Sequence, residues 1–332
     1  MKRLAPYIGL SVMLLFASCE KDIEFEGEIT EPLMVVTSIT TPDSLLTVRV
    51  TESRFFLSSQ DTFTVVTDAN VSLFINGTFR EQMTFDTSDG LYKGTYKTTA
   101  RDLIRLVITA SGLPATESEF EVPSHIQLTG TDTSILDYYS YPIENYLWDE
   151  INNTYIIDTV GYYYAYTVDA TLKFMEPASE TNYYRLVIKK RTSYNDTAYT
   201  DSYLWYEKTD LVFGEDDDIS NEIIDVSTYN SYGIFSDELI NGKEYPLTFS
   251  FSVYNEVYSN ENDTTDTSGS ALYDYYLDLQ MLSQSYYLYL LTYTNSGFDL
   301  FSEPTQIHSN IDGGIGIAGS YTSNSIKLDS TH

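Results

Sequence analysis

The segment Leu247-Thr248-Phe249-Ser250-Phe251-Ser252-Val253 alternates apolar and polar side chains without a break. Successive side chains of a β-strand point to opposite faces of a sheet, so this segment predicts a strand with one buried and one solvated face. Residues 46–50, 104–108, 170–174 and 184–188 show the same period of two. The recurrence of this pattern along the chain predicts a mostly β protein.

Residues 32–123 are expected to form an immunoglobulin-like β-sandwich. The region holds about seven short strand patterns, separated by turn signals at Pro42-Asp43-Ser44, Asn76-Gly77 and Asp89-Gly90, and Pro123 ends the last of them. Short strands with a turn every 8–12 residues or so are typical of this architecture. The Cys–Trp–Cys core of antibody domains is missing, so the prediction concerns the architecture alone.

Residues 124–332 are expected to form a larger β domain with one covering α-helix near residues 283–296. Ser283 is a candidate N-cap, and Tyr286, Leu290 and Tyr293 then fall on one helical face at spacings of four and three. The sequence Asn295-Ser296-Gly297 predicts the end of this helix. The polar segments 215–218 and 259–270 predict surface loops between strands.

The N-terminus predicts a lipoprotein signal peptide over residues 1–18. Lys2 and Arg3 precede an apolar run that ends at Ala17-Ser18-Cys19, and Cys19 is the only cysteine of the chain. Small residues before a cysteine resemble the lipobox, which would make Cys19 the lipidated first residue of the mature chain. The alternative is an ordinary signal peptide followed by a free thiol. Residues 19–31 are acidic and weakly patterned, which predicts a tether.

The charge of the chain excludes some classes of partner. Without residues 1–18 the chain has 16 basic and 49 acidic residues, a formal charge of −33. Such a charge repels nucleic acid and anionic lipid, so we expect no nucleic-acid binding and membrane contact through lipidated Cys19 alone. No later apolar run approaches the roughly 18 residues of a membrane-spanning helix. With Cys19 acylated, no disulfide is available.

Several motifs are candidate chemical sites. Residues 314–319 have the glycine spacing of a dinucleotide fingerprint, but Ile315 and Ile317 alternate like a strand, so a glycine-rich strand with close backbone approach is predicted instead. Three dispersed histidines (His125, His308, His332) argue against a zinc site or a histidine relay. The 49 acidic residues offer too many carboxylate pairs to exclude a glycoside hydrolase.

Two acidic segments carry the oxygen ligands that calcium prefers. They are residues 263–266 and the run Glu215, Asp216, Asp217 and Asp218. Neither has an EF-hand spacing, so calcium stays a weak candidate beside ordinary solvated loop charge. The chain also contains 31 tyrosines, most of which we expect to be structural, with a minority forming an interaction surface.

The C-terminal region resembles one family. Residues 285–290, Phe301-Ser302-Glu303-Pro304 and residues 309–316 are similar to the tail of a Bacteroidetes lipoprotein family catalogued as domain of unknown function four-two-four-nine, and segments near residues 32–36, 68–71, 181–184 and 235–237 agree. The resemblance implies an outer-membrane lipoprotein encoded beside a TonB-dependent receptor. Lys21-Asp22 after Cys19 resembles the export signal that places such lipoproteins on the outer face of the outer membrane. The family supplies no catalytic residues.

These observations together predict a non-catalytic, surface-exposed outer-membrane lipoprotein. It would be an accessory subunit of a TonB-dependent transporter that assists ligand capture or uptake. The alternatives are a free-standing glycan- or protein-binding adhesin and, second, a hydrolase. A docking protein should present a broad exposed patch, whereas a hydrolase should have a deep cleft with two convergent carboxylates.

Overall fold

The computed structural model describes residues 31–54, 62–178, 180–194, 198–214, 230–258, 272–294 and 306–328. Together these residues form a mostly β protein, as predicted. The strands are β1 Met34–Thr40, β2 Leu45–Glu52, β3 Asn70–Ile75, β4 Thr78–Gln82, β5 Thr84–Asp86, β6 Leu91–Lys97, β7 Leu103–Ala110, β8 Leu113–Glu121, β9 Gln127–Asp149, β10 Thr154–Met175, β11 Tyr183–Tyr194, β12 Ala198–Leu204, β13 Ile234–Ser236, β14 Glu244–Tyr258, β15 Leu272–Leu282 and β16 Ile315–Lys327. Helix α1 spans Gln284–Thr294.

The first eight strands form a sandwich with immunoglobulin-like strand order. One sheet runs β1-β2-β6-β5 and the other β4-β3-β7-β8. If strands β1 to β8 are lettered A, B, C, C′, D, E, F and G, the two sheets have the orders A-B-E-D and C′-C-F-G, as in the immunoglobulin fold. The inward residues of both sheets form one buried cluster that includes Val36, Leu46, Val48, Val50, Val71, Leu73, Ile104, Leu106 and Phe120.

The predicted Asn76-Gly77 hairpin is confirmed, and it leads into two strands that the sequence did not reveal. Asn76 and Gly77 both have positive φ (52° and 77°), as the tight turn between β3 and β4 requires. β4 has no buried side chain and β5 is only 3 residues long. Strands without a buried face lack the alternation that predicts the other strands.

In the second sandwich, the sheet β14-β10-β9 packs against strands β15 and β11. The four apolar residues of the segment 247–253 are each 2 % exposed or less, which confirms the predicted buried face of β14. They pack with alternate residues of the other strands: Val168, Ala170, Leu172, Phe174, Tyr184, Leu186, Ile188, Tyr275, Leu277, Leu279 and Met281. Ser250 was expected in solvent but is 8 % exposed, because Glu207 pairs with it along the edge of β14.

The last strand joins the two sandwiches. β16 pairs in parallel with β1 and antiparallel with β15, so a single sheet runs from β12 to β5 through both regions. Ala318 belongs to the first core, while Ile326 packs against the second. The division at residue 123/124 therefore marks two cores that share one continuous sheet.

Alternate polar side chains of β16 hold the segment that connects the two sandwiches. Ser320 Oγ donates to the Glu121 carbonyl (2.8 Å), Thr322 Oγ1 to the Ser124 carbonyl (2.7 Å) and Asn324 Nδ2 to the Ile126 carbonyl (3.0 Å). Buried backbone carbonyls need such partners, because leaving one unpaired costs about 1–3 kcal/mol. β16 therefore holds the connecting segment in place, in addition to pairing with one strand of each sandwich.

The glycine-rich segment is the beginning of β16, as predicted. Gly316 has φ of 123°, and a Cβ placed there would lie 2.0 Å from the Val36 carbonyl oxygen. A Cβ on Gly319 would lie 2.9 Å from Tyr286 Cβ. These glycines allow β1 and α1 to approach the β16 backbone closely, and no dinucleotide fold follows them.

Helix α1 confirms the single predicted covering helix. Leu290 is buried and Tyr286 is half-buried against Tyr321, whereas Tyr293 is 46 % exposed. Ser283 precedes the first helical residue as expected, but its hydroxyl accepts from the Ser320 backbone N–H (3.0 Å) of β16. The Ser283 side chain, predicted to cap the helix, therefore links the start of the helix to the sheet. The predicted stop at 295–297 lies outside the described residues.

Candidate functional site

A long hairpin made of β9 and β10 is the most prominent surface feature among the described residues. The two strands contain 23 and 22 residues, whereas strands of globular proteins usually have about 3–10. β10 pairs with the described part of β14 from Met175 to Gly161. Beyond this stretch, residues 143–160 of β9 and β10 pair with each other, and we call this part of the described chain the outer hairpin.

The outer hairpin exposes large apolar side chains on both faces. Trp148 lies opposite Tyr155, and Tyr146 lies opposite Ile157, so these four residues share one face. The Trp148 and Tyr155 rings meet edge to face at 4.9 Å. Each of the four is between 50 % and 60 % exposed, and none of residues 143–160 is buried.

The opposite face and the tip add further apolar area. Leu147 and Ile156 form a register pair on the other face and are 55 % and 51 % exposed. Ile151 in the turn is 93 % exposed. Contiguous exposed apolar surface of this kind marks interaction sites in folded proteins.

Carboxylates accompany this apolar surface, and the hairpin itself carries no lysine or arginine. The outer hairpin contains Glu144, Asp149, Glu150 and Asp158, and the sequence has no lysine or arginine between Arg105 and Lys173. The outer hairpin is therefore both aromatic and purely acidic. A surface of this character fits a protein face with lysine or arginine, and it is repelled by anionic lipid.

Local hydrogen bonds order the tip. Asp149 accepts from the Asn152 side-chain amide (2.7 Å) and the Ile151 backbone N–H (2.9 Å), and these bonds hold the pKa of the Asp149 carboxyl below its usual range. Tyr146 donates to Glu144 Oε2 (2.6 Å), which raises the pKa of the Tyr146 hydroxyl. The tip thus presents an ordered, ionised carboxylate beside the aromatic rings.

A row of tyrosines continues the aromatic surface toward the second core. Tyr138 contacts the rings of Tyr164 and Tyr166 at 6.1 and 6.2 Å, and Tyr164 contacts Tyr162 at 6.3 Å. Tyr138 and Tyr162 are 55 % and 46 % exposed. The exposed tyrosines of this hairpin are candidates for the predicted interaction surface, while Tyr92, Tyr184, Tyr206 and Tyr275 are buried in the cores.

The site residues named from the sequence lie elsewhere. Cys19, the acidic runs 215–218 and 263–266, and His332 are outside the described residues. His125 is exposed beside the connection, and His308 donates its backbone N–H to Thr292 Oγ1 (2.8 Å) after α1. Within the part of the chain that the structure describes, no three histidine, cysteine or acidic residues are grouped as metal ligands.

Comparison with known proteins places the chain in a family. Its sequence matches the family described as "Domain of unknown function (DUF4249)" over residues 20–327. The chain belongs to the DUF4249 family. The match begins directly after Cys19 and includes every strand described above. None of the curated proteins matches the DUF4249 chain.

Among solved structures, a Corynebacterium diphtheriae protein provisionally described as membrane anchored is similar. The identity is 10 %, the TM-score is 0.21, and the match covers 85 % of the DUF4249 chain and 58 % of that protein. A similarity at this level carries no information about function. In the described residues, the single α-helix is too short to cross a membrane.

Proposed function

We propose that the chain is a non-catalytic, lipid-anchored lipoprotein on the exterior face of the outer membrane. It binds a TonB-dependent transporter and assists the capture or uptake of that transporter's ligand. The observation that carries this proposal is the outer hairpin, an extended element whose aromatic residues are exposed and whose charges are all negative. Membership of the DUF4249 family and the lipobox-like sequence before Cys19 support the location.

The hairpin has the composition of a binding hot spot. Tryptophan and tyrosine contribute most to binding when they become buried at the centre of an interface, and a polar rim excludes water around them. Trp148 and Tyr155 form such a centre on the face that Glu144 shares, and Asp149 and Asp158 add polar carboxylates on the opposite face of the ribbon. The transporter surface that receives the hairpin is therefore expected to offer an apolar groove bordered by lysine or arginine.

The lipid anchor makes a modest interface sufficient. Attachment at Cys19 confines the protein to the membrane that contains the transporter, which raises the effective concentration of the two partners. Because the attraction between the charged groups is partly exposed to solvent, salt screens it over a Debye length of about 8–10 Å. Binding should thus weaken as ionic strength rises.

Affinity purification from outer membrane solubilised in mild detergent tests this proposal. At low salt, the wild-type protein should recover a TonB-dependent transporter, and the Trp148→Ala/Tyr155→Ala double variant should recover much less. Tyr203→Ala is a matched control, because Tyr203 is 74 % exposed but lies on β12. Failure of the wild-type protein to recover any transporter would overturn the proposal and favour the free-standing adhesin.

A further inference from the structure

The solvent-facing side of β9, β10 and β14 carries an ordered grid of polar side chains. One row across the strands contains Ser134, Asp169 and Ser250, which are direct register partners, and the next contains Asp132, Thr171 and Thr248. The segment after β12 extends both rows. Glu207 forms two backbone hydrogen bonds with Ser250 (2.7 and 3.2 Å), and Thr209 Oγ1 lies 3.4 Å from the Thr248 carbonyl oxygen.

The six strand residues of the two rows and Thr209 line an open groove of about 420 Å³, and Glu207 lies beside it through its pairing with Ser250. Its volume is within the roughly 300–1,000 Å³ of small-molecule sites. Because neighbouring strands lie about 5 Å apart, the side chains across each row are spaced to contact successive groups of one extended ligand. The groove is thus wide enough for a ligand that spans several strands.

Three groups of the grid, two on the central strand β10 and one on β9, are available to a ligand. Asp169, Thr171 and Ser134 make no side-chain hydrogen bond or ion pair with any residue in the described ranges. By contrast, Asp132 accepts from Lys173 Nζ (2.5 Å), and Thr248 Oγ1 lies 3.2 Å from Asp210. Asp132 and Thr248 are therefore engaged in hydrogen bonds within the protein, whereas Asp169, Thr171 and Ser134 can form hydrogen bonds with a ligand.

We propose that this groove binds a neutral oligosaccharide. The proposal is independent of the transporter partner, since it concerns residues 132–134 and 169–171 at the base of the β9–β10 hairpin and not its tip. It names the chemical class of a ligand that the protein would capture. Bound on the outward side of the sheet, the sugar would leave the buried core undisturbed.

The side chains of the grid match the groups of a sugar. Hydroxyl groups of serine and threonine both donate and accept hydrogen bonds, as sugar hydroxyls do. The Asp169 carboxylate accepts hydrogen bonds at both of its oxygen atoms. Trp205, two residues before Glu207 in sequence, is 61 % exposed with Lys208 Nζ 5.9 Å from its ring, and such a flat amphipathic ring is of the kind that stacks on sugars.

The charges of the groove favour a neutral ligand over an anionic one. Three carboxylates lie in or beside the grid (Asp132, Asp169 and Glu207), and Lys173 pairs with the first of them. A phosphorylated or sulfated ligand would be repelled. A lysine-rich peptide would satisfy the charges but would leave the hydroxyl groups of the grid, which outnumber the carboxylates, without matched partners.

A glycan array probed with the mature protein in detergent tests the proposal. The array carries neutral glucans, mannans, xylans and galactans, together with sulfated glycans and a lysine-rich peptide. The best neutral oligosaccharide is then titrated calorimetrically against the wild-type protein and its variants. Asp169→Ala and Thr171→Val should each weaken binding about tenfold or more, because each removes a hydrogen-bonding group.

Thr109→Val is the matched control. Thr109 is an exposed threonine at an outward position of β7 in the first sandwich, so its replacement should leave binding unchanged. Thr171→Val keeps the shape and strand propensity of the residue, which makes misfolding an inadequate explanation of a loss. The proposal fails if no neutral glycan binds, if only the peptide binds, or if both groove variants bind like the control.

Discussion

At the scale of single residues, Gly316 shows how closely strands β1 and β16 approach each other. Its α-carbon faces the Val36 carbonyl so tightly that any β-carbon would overlap the oxygen atom. The residue also has a backbone conformation that side chains other than glycine rarely adopt. Together these features make Gly316 a requirement of the β1–β16 junction.

Gly316→Ala should therefore lower the free energy of unfolding by at least about 3 kcal/mol, since either β1 or β16 must shift. Gly112→Ala is the control, because Gly112 also has positive φ (76°) but a β-carbon added there would meet no atom within 4 Å. The control should cost only about 1–2 kcal/mol of backbone strain. Urea denaturation measures both, and equal losses would contradict the role given to the junction.

Ser283 shows where residue-level prediction reached its limit. Its position before the helix follows from sequence spacing, and the structure agrees. The hydrogen-bond partner of its hydroxyl group cannot be predicted from this spacing. Ser320 comes close to Ser283 only because β16 takes its place in the sheet. A local pattern predicts a local cap, whereas the hydrogen bond that forms is decided by a strand far along the chain.

At the scale of elements, strands with one buried face were predictable and the outer hairpin was not. Alternation predicts β2, β7, β10 and β14, because one face of each packs in a core. In the outer hairpin both faces are apolar and exposed, and at its base and below it register shifts between Thr159 and Gly161 and between Ala165 and Thr167 interrupt the period of β10. No period of two remains to be recognised in the sequence.

Removing the outer hairpin should leave the fold intact. Ile143 and Gly161 face each other in the register, so residues 144–160 can be replaced by an Asn-Gly turn. Because no residue in the outer hairpin is buried, the free energy of unfolding should change by no more than about 1 kcal/mol. Phe249→Ala in the second core is the contrast and should cost about 3–5 kcal/mol. A large loss for the hairpin replacement would show that the element is structural.

At the scale of the whole molecule, the two-core organisation was predictable and the sheet that joins the cores was not. The change from short immunoglobulin-like strands to longer ones is visible near Pro123. The pairing of Val35 with Ile315 is not, since no local property of β1 selects β16 as its neighbour. The candidate site depends on the same kind of distant pairing, because β10 is paired with β14 from Met175 to Gly161 before it continues into the outer hairpin.

The many buried tyrosines predict a loss of stability at alkaline pH. Burial raises the pKa of the hydroxyl groups of Tyr184, Tyr245 and Tyr275, so the folded protein keeps protons that the unfolded chain releases above about pH 10. Stability from these groups is complete below that pH and falls as the pH rises further. Each such tyrosine adds at most about 1.4 kcal/mol per pH unit to the slope.

Tyr184→Phe isolates one of these contributions. The variant should lose stability less steeply than wild type between about pH 10 and 11.5, by up to about 1.4 kcal/mol per pH unit. Urea titrations at several pH values measure the slope. An unchanged slope would mean that Tyr184 is not a proton-linked group of the fold.

The proposed attachment to the membrane depends on Cys19. Because the cysteine follows a lipobox-like sequence, Cys19→Ser should give a soluble or uncleaved protein that no longer incorporates a fatty-acid analogue during metabolic labelling. Wild-type protein should be labelled and should sediment with the outer membrane. Labelling of the serine variant would contradict lipidation at this residue.

Photo-cross-linking in living cells tests the central claim most directly. p-Benzoylphenylalanine replaces Tyr155 at the centre of the outer hairpin or, as a control, Tyr203 on β12, which are 60 % and 74 % exposed. We predict that irradiation joins the Tyr155 variant to a TonB-dependent transporter, that the product diminishes at high salt, and that the Tyr203 variant gives none. Absence of a transporter from the Tyr155 product, or equal cross-linking at Tyr203, would contradict docking through the hairpin.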